Sequence, residues 1–190
     1  AGRSPRAVRH RGVRIPQRPL FQALIETGAR WRELTLVTWA DLDANQALLK
    51  LRAANTKSRK ARVIPLRRAL VDELLALRPL HAAARGCAVA VSDRVFLSPE
   101  AADWGAPTNN VARVLRRALE RAGIARLNEA GEKLDLHALR HSAATQWARR
   151  GVSIVHAQAL LGHSDVRLTS KVYTHISTAD LRAAVEGVAG

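Results

Sequence analysis

A mainly α-helical domain with one small three-stranded antiparallel β-sheet, an α+β arrangement, is the fold class the sequence predicts. Three observations predict it. Apolar residues recur at three- and four-residue spacing through most of the chain, the signature of amphipathic helices. Between Trp39 and Leu66 that period gives way to three short β-compatible segments, ADLD, ALLKLRA and ARVIPL, separated by polar turns. At 190 residues and 47% hydrophobic composition, the chain suffices for one sizeable core.

Residues 1–18, AGRSPRAVRHRGVRIPQR, hold Arg3, Arg6, Arg9, Arg11, Arg14 and Arg18, no acid, and Gly and Pro breaks that argue against a regular element. The segment reads as a basic arm lying along phosphates or as a linker. The remainder, residues 19–190, reads as one folded domain. From Pro19, the run Leu20, Phe21, Leu24, Ile25 has helical spacing, and Gly28 ends it in the left-handed conformation. Arg30 opens a second, short helix with Glu33 one turn away and Leu34 and Val37 facing inward. Judged alone, Arg30 and Glu33 form an ordinary surface ion pair.

The three strands follow, with Lys57 in the last turn. Its neighbours Lys50, Arg52, Arg59, Lys60 and Arg62 make a solvated, charged hairpin an equal reading. Residues 68–78 form a helix on Leu70, Leu74, Leu75 and Leu77, stopped by Pro79. Residues 79–106 carry the weakest pattern, with a short strand or turn at 94–97. Pro107 begins a helix on Val111, Val114, Leu115, Ala118 and Leu119 that ends at Gly123, with Arg113, Arg116 and Arg117 facing outward as phosphate contacts. A polar turn at 128–133 leads into the stretch on which the function turns.

That stretch, residues 134–175, is LDLHALRHSAATQWARRGVSIVHAQALLGHSDVRLTSKVYTH. Leu136, Leu139, Ala143 and Trp147 make one helix that carries His137 and Arg140 on a neighbouring face; Gly151 breaks it. Ser153 caps a second helix, which Gly162 stops, leaving His163 just past a helix end. Ser164 caps a third, with Thr169 and Tyr173 one turn apart. Tyr173 is the single tyrosine of the chain. A final helix from Ser177 carries Leu181, Val185 and Val188.

These residues carry a resemblance. HxLR, then LGH, then a tyrosine ten residues on, is similar to the catalytic domain of the tyrosine recombinase, or phage integrase, family. ETGARWREL resembles its TGxRxxEL segment and supplies Arg30 with the accessory Glu33; NTKSRKARVIPL resembles its hairpin and supplies Lys57. The order Arg30, Lys57, His137, Arg140, His163, Tyr173 matches the family over roughly residues 20–180. The resemblance implies a tyrosine recombinase catalytic-domain fold. It also implies a site-specific recombinase that cuts and rejoins double-stranded DNA through a covalent 3′-phosphotyrosyl intermediate, with no metal and no cofactor. Tyr173 attacks, Arg30 and Arg140 neutralise the non-bridging oxygens, His163 adds a hydrogen bond, His137 accepts or orients the tyrosine proton, and Lys57 protonates the 5′ oxygen. Family members assemble as tetramers on DNA and carry a separate core-binding domain ahead of the catalytic one. No room exists for that domain here, so a fragment or minimal version is expected, weakly associating or monomeric without DNA. The last helix docks either on its own domain or on a neighbouring protomer.

Composition bounds the same reading independently. Lys and Arg number 31 against 16 acids, a net charge of +15, which points to a polyanionic partner. No stretch approaches the roughly 18 apolar residues of a membrane span, and the first residues hold arginines but no apolar signal-peptide core, so a cytoplasmic, nucleoid-associated protein with no membrane partner is expected. The single Cys87 allows no internal disulfide and reads as structural. His137 and His141 stand four apart, yet HALRH lacks the glutamate of HExxH and puts Arg140 beside any metal, which argues against a zinc site. A type IB topoisomerase-like nicking-closing enzyme, and a DNA-binding relative without productive cleavage, remain as alternatives.

Overall fold

The computed structural model describes residues 12–56, 58–104, 110–127, 129, 131–162 and 170. Helix α1 (Arg18–Thr27) begins with Pro19 in its first turn and ends on Gly28, which adopts φ 57°. Helix α2 (Trp31–Thr35) follows after three residues, with Arg30 at its N-cap. A 3₁₀ turn at Trp39–Asp41 leads into the sheet. Its strands are β1 (Leu42–Asp43), β2 (Leu48–Leu51) and β3 (Arg62–Pro65), antiparallel in the order β1-β2-β3. The expected sheet is therefore present. In the β2–β3 register Leu49 faces Ile64 and Leu51 faces Arg62. Leu49, Leu51 and Ile64 are buried while Lys50 and Val63 point to solvent, so strand alternation puts Arg62 on the core-facing side.

Helices α3 (Arg68–Leu75) and α4 (Leu77–Arg85) correct the expectation that Pro79 stops a helix spanning residues 68–78. The break falls at Ala76, and Pro79 lies in the first turn of α4. There a missing N–H breaks no intrahelical hydrogen bond, so the proline is tolerated. Short bridges pair Thr38 with Arg94 and Leu97 with Asp103, bringing the weakly patterned region back over the core. Helix α5 (Val111–Arg121) is capped by Asn110, whose side chain accepts from the Arg113 N–H. Its expected start at Pro107 lies outside the described residues. Helices α6 (Leu136–Arg149) and α7 (Ile154–Leu161) are capped by Asp135 and Ser153, and α7 ends on Gly162 at φ 65°.

The core gathers α1, α2, the sheet, α3, the 95–97 segment and the inner faces of α5 and α6, with Leu24, Leu34, Leu49, Leu70, Leu74 and Phe96 among its buried side chains. Helix α1 packs on α6 and α3, and α7 lies against both α6 and β3. The basic segment is anchored at its second half. Ile15 is 3% exposed, its N–H donates to the Pro99 carbonyl at 3.1 Å, and the Gln17 amide donates to the Leu97 carbonyl at 3.1 Å. Residues 12–17 thus form no helix or strand yet pack on the domain. Among the described residues no helix is long and apolar enough to cross a membrane.

Candidate active site

Glu33 is the centre of the site. It points inward from α2 and is 2% exposed, so a lone carboxylate there would be strongly disfavoured. Four hydrogen bonds hold it charged. The Arg30 N–H donates at 2.9 Å and Arg30 Nη1 at 3.1 Å. Arg62 reaches across from β3 with Nη2 at 2.6 Å and Nη1 at 3.3 Å, a bidentate fork. Burial works to raise the Glu33 carboxyl; the Arg62 hydrogen bonds, the Arg30 N–H and both guanidinium charges outweigh it and hold the group below its ordinary range.

Arg140 is the second buried ion, 5% exposed, and it is held differently. Nη1 donates to the Gly28 carbonyl, and Nη2 donates to the Leu161 carbonyl at 2.7 Å. No carboxylate bonds it directly among the described residues. Burial, then repulsion from Arg30 and Arg62, pulls it down to about 10, with Glu33 acting in the opposite sense. It is still a cation at neutral pH. Three guanidiniums therefore gather around one carboxylate that bonds only Arg30 and Arg62, leaving two positive charges at a site that opens through the partly exposed Arg30. Such a site takes an anion.

Two glycines make the close approaches possible. A Cβ on Gly28 would lie 2.9 Å from Leu161 Cδ2 and 3.1 Å from Trp147 Cη2, so only glycine brings that carbonyl to Arg140. A Cβ on Gly162 would lie 2.9 Å from Arg62 Nη1. Arg62 Nε also donates to the Leu160 carbonyl at 2.9 Å. The C-terminal end of α7, where the helix dipole is negative, thus receives one arginine on each of its last two carbonyls.

Of the sequence-predicted residues, Arg30, Glu33 and Arg140 come together. His137 is exposed in the first turn of α6, and its ring meets the His141 ring edge-on at 4.7 Å, whereas Arg140 turns inward. Burial and the adjacent His137 and Arg140 lower the His141 pKa. No group of three metal-ligating side chains occurs among the described residues. Lys57, His163 and Tyr173 lie outside the described residues, as do Arg3, Arg6, Arg9 and Arg11. Beside the Lys57 position, the Thr56 hydroxyl donates to the Ala53 carbonyl at 3.1 Å and the Lys60 carbonyl at 3.0 Å, and Arg59 N–H returns to the Thr56 carbonyl. Arg14 reaches Glu100 at 3.4 Å, while Arg113, Arg116 and Arg117 are on the exposed face of α5, Arg116 near Glu120 at 3.5 Å. Sequence reasoning missed Arg62, counting it among the hairpin's surface charges. The alternation that buries Ile64 also turns Arg62 inward, and that signal was available.

The phage integrase family model matches residues 5–180. This chain belongs to that family. Among relatives of this integrase-family domain, the tyrosine recombinase XerC of Bifidobacterium longum is 32% identical over 167 residues, which cover 86% of this chain and 44% of the relative. The chain spans about half the length of the curated relatives it matches. The crystal structure of a XerA recombinase superposes with a TM-score of 0.66 at 24% identity, over 94% of this chain and 65% of that one. The catalytic domain of bacteriophage HP1 integrase superposes with a TM-score of 0.57 at 25% identity, over 88% and 79%. The catalytic-domain fold expected from the sequence is the fold observed.

Proposed function

We propose that this domain cuts and rejoins double-stranded DNA as a site-specific recombinase. The observation that carries the reading is the pair of uncompensated guanidinium charges around Glu33, contributed by residues more than a hundred positions apart in sequence. In the reaction the Tyr173 phenolic oxygen attacks phosphorus, a new P–O bond forms, and the bond to the 5′ oxygen breaks. The DNA 3′-phosphate stays on the tyrosine, and a 5′-hydroxyl from the partner strand reverses the step. Arg30 and Arg140 neutralise the non-bridging oxygens, where charge must be stabilised without reorganisation. His163 adds a hydrogen bond to the same phosphate. His137 takes or orients the phenol proton, and Lys57 gives a proton to the departing oxygen. No metal or cofactor is needed for these roles.

The basic residues 1–18 with Arg113, Arg116 and Arg117 serve as phosphate contacts, residues 19–190 act as the catalytic unit, and the working form is a tetramer on DNA in the cytoplasm. The deciding experiment is trapping of a covalent adduct on a nicked duplex carrying the target site. The parent forms it, in the presence of chelator as in its absence, and Tyr173→Phe binds the same DNA without forming it. An adduct in Tyr173→Phe, or its loss in chelator, overturns the mechanism. Binding without an adduct by the parent identifies a DNA-binding relative.

A further inference from the structure

We propose that Arg62 is a positioning residue for strand transfer, a single guanidinium that ties the buried Glu33 of α2 to the C-terminal end of α7. It thereby sets the spacing between Arg30, Arg140 and Gly162. The inference rests on the recombinase reading above.

The geometry gives Arg62 three acceptors on two elements. Nη1 and Nη2 bind the Glu33 carboxylate at 3.3 and 2.6 Å, and Nε binds the Leu160 carbonyl at 2.9 Å. These partners are 29 and 98 residues away in sequence. Gly162 leaves the space the guanidinium occupies, since a Cβ there would sit 2.9 Å from Nη1 and 3.1 Å from Cζ. The side chain is 9% exposed and its charge is held by Glu33, so it is placed to brace the site rather than to meet a ligand. Arg140 grips the adjacent Leu161 carbonyl and, through Gly28, the end of α1. Arg62 and Arg140 therefore hold neighbouring peptide groups of α7, one from the sheet side and one from α6. Only a planar fork satisfies the Arg62 acceptors together; a lysine ammonium at the end of its stem cannot reproduce that geometry.

The consequence for catalysis is specific. Arg62 acts on the part of the site that meets the non-bridging oxygens, not on the proton donor to the leaving group. Misplacing groups by about 1 Å costs on the order of 100-fold in rate. Arg62→Met and Arg62→Lys should both slow single-turnover adduct formation by about that factor, with DNA affinity unchanged. Replacing the bridging 5′ oxygen with sulfur, whose thiolate leaves without a proton, should rescue neither variant, whereas it should rescue Lys57→Ala. Glu33→Gln combined with Arg62→Met should slow the reaction no further than the worse single variant, because both break one unit.

A second measurement needs no catalysis. Amide hydrogen exchange in residues 159–162 should speed up in Arg62→Met by at least tenfold, while protection in α3 stays at the parent level. Unchanged exchange there overturns the tether. Faster exchange with parent-like cleavage overturns the positioning role, and sulfur rescue of Arg62→Met reassigns the residue to the hairpin lysine. If the parent itself forms no adduct, the recombinase reading falls and the positioning role falls with it; the exchange data still decide the tether separately.

Discussion

Two buried polar groups stand at opposite extremes in this domain. Glu33 is buried with four hydrogen bonds from two arginines. His81, on α4, is equally buried at 1% exposure, yet neither ring nitrogen has a hydrogen-bond partner among the described residues. Its ring packs edge-on against Trp39, centroids 5.9 Å apart, and the same tryptophan ring carries the Arg78 guanidinium at 5.2 Å. The Trp39 ring N–H is also unpartnered among the described residues. The difference teaches what burial demands: a carboxylate survives in the interior only with matched donors, whereas an imidazole survives by giving up its charge. The first arrangement leaves positive charge for a ligand. The second only adds sensitivity to acid.

The sharpest break in this comparison is expected at Arg140. Arg140→Ala removes a charge from the anion site and unbonds two carbonyls, and single-turnover adduct formation should fall by roughly 1,000-fold with no rescue by a sulfur leaving group. Rescue would move Arg140 out of contact with the non-bridging oxygens. Next comes Gly28→Ala. The new methyl meets Leu161 at 2.9 Å at a residue with φ 57°, so chemical denaturation should register a loss of roughly 1–3 kcal/mol, together with slower cleavage.

Acid should separate the two regions. Burial first, then the nearby Arg85 charge, lowers the His81 pKa from 6.5 to about 4, with Asp93 opposing. The unfolded chain therefore takes up this proton before the folded chain does. Stability from neutral His81 is complete above pH 6.5 and is lost as pH falls towards 4, by up to about 3 kcal/mol. Glu33 works in the same sense over a lower window: its lowered pKa contributes fully above the ordinary carboxylate value of 4.5, and that contribution is lost as pH falls from 4.5 through the lower folded value. Denaturation midpoints of the parent and His81→Phe between pH 7 and 4 test this. An identical slope in both proteins would remove His81 as the acid-sensitive group. The smallest effect belongs to Arg14→Ala. Its partner Glu100 is 3.4 Å away and the two side chains are 72% and 61% exposed, so stability should change by less than about 0.5 kcal/mol. A larger loss would make the packed 12–17 segment more important than its ion pair.

Local chemistry was legible in the sequence. The left-handed glycines at 28 and 162, the Ser153 cap and the strand segments are decided by residues within a few positions of one another, and each appears where expected. The Arg30–Glu33 pair was legible as a spacing but not as a buried centre, because its burial is completed by Arg62 and the end of α7. Pro79 was misread since a proline marks either a helix stop or a first turn, and the break at Ala76 carries no strong residue signal. His81 carries no signal in the sequence. Its burial depends on Trp39, forty-two positions away, and nothing adjacent marks it.

The arginine-held end of α7 also has a thermal meaning. A helix terminus ordinarily frays, and immobilising a frayed residue when a ligand arrives costs about 1–2 kcal/mol in entropy at room temperature. With the Leu160 and Leu161 carbonyls already occupied, that ordering belongs to folding, and the chain leaves the helix at Gly162 from a fixed point. The entropy change on binding should carry correspondingly little of that cost.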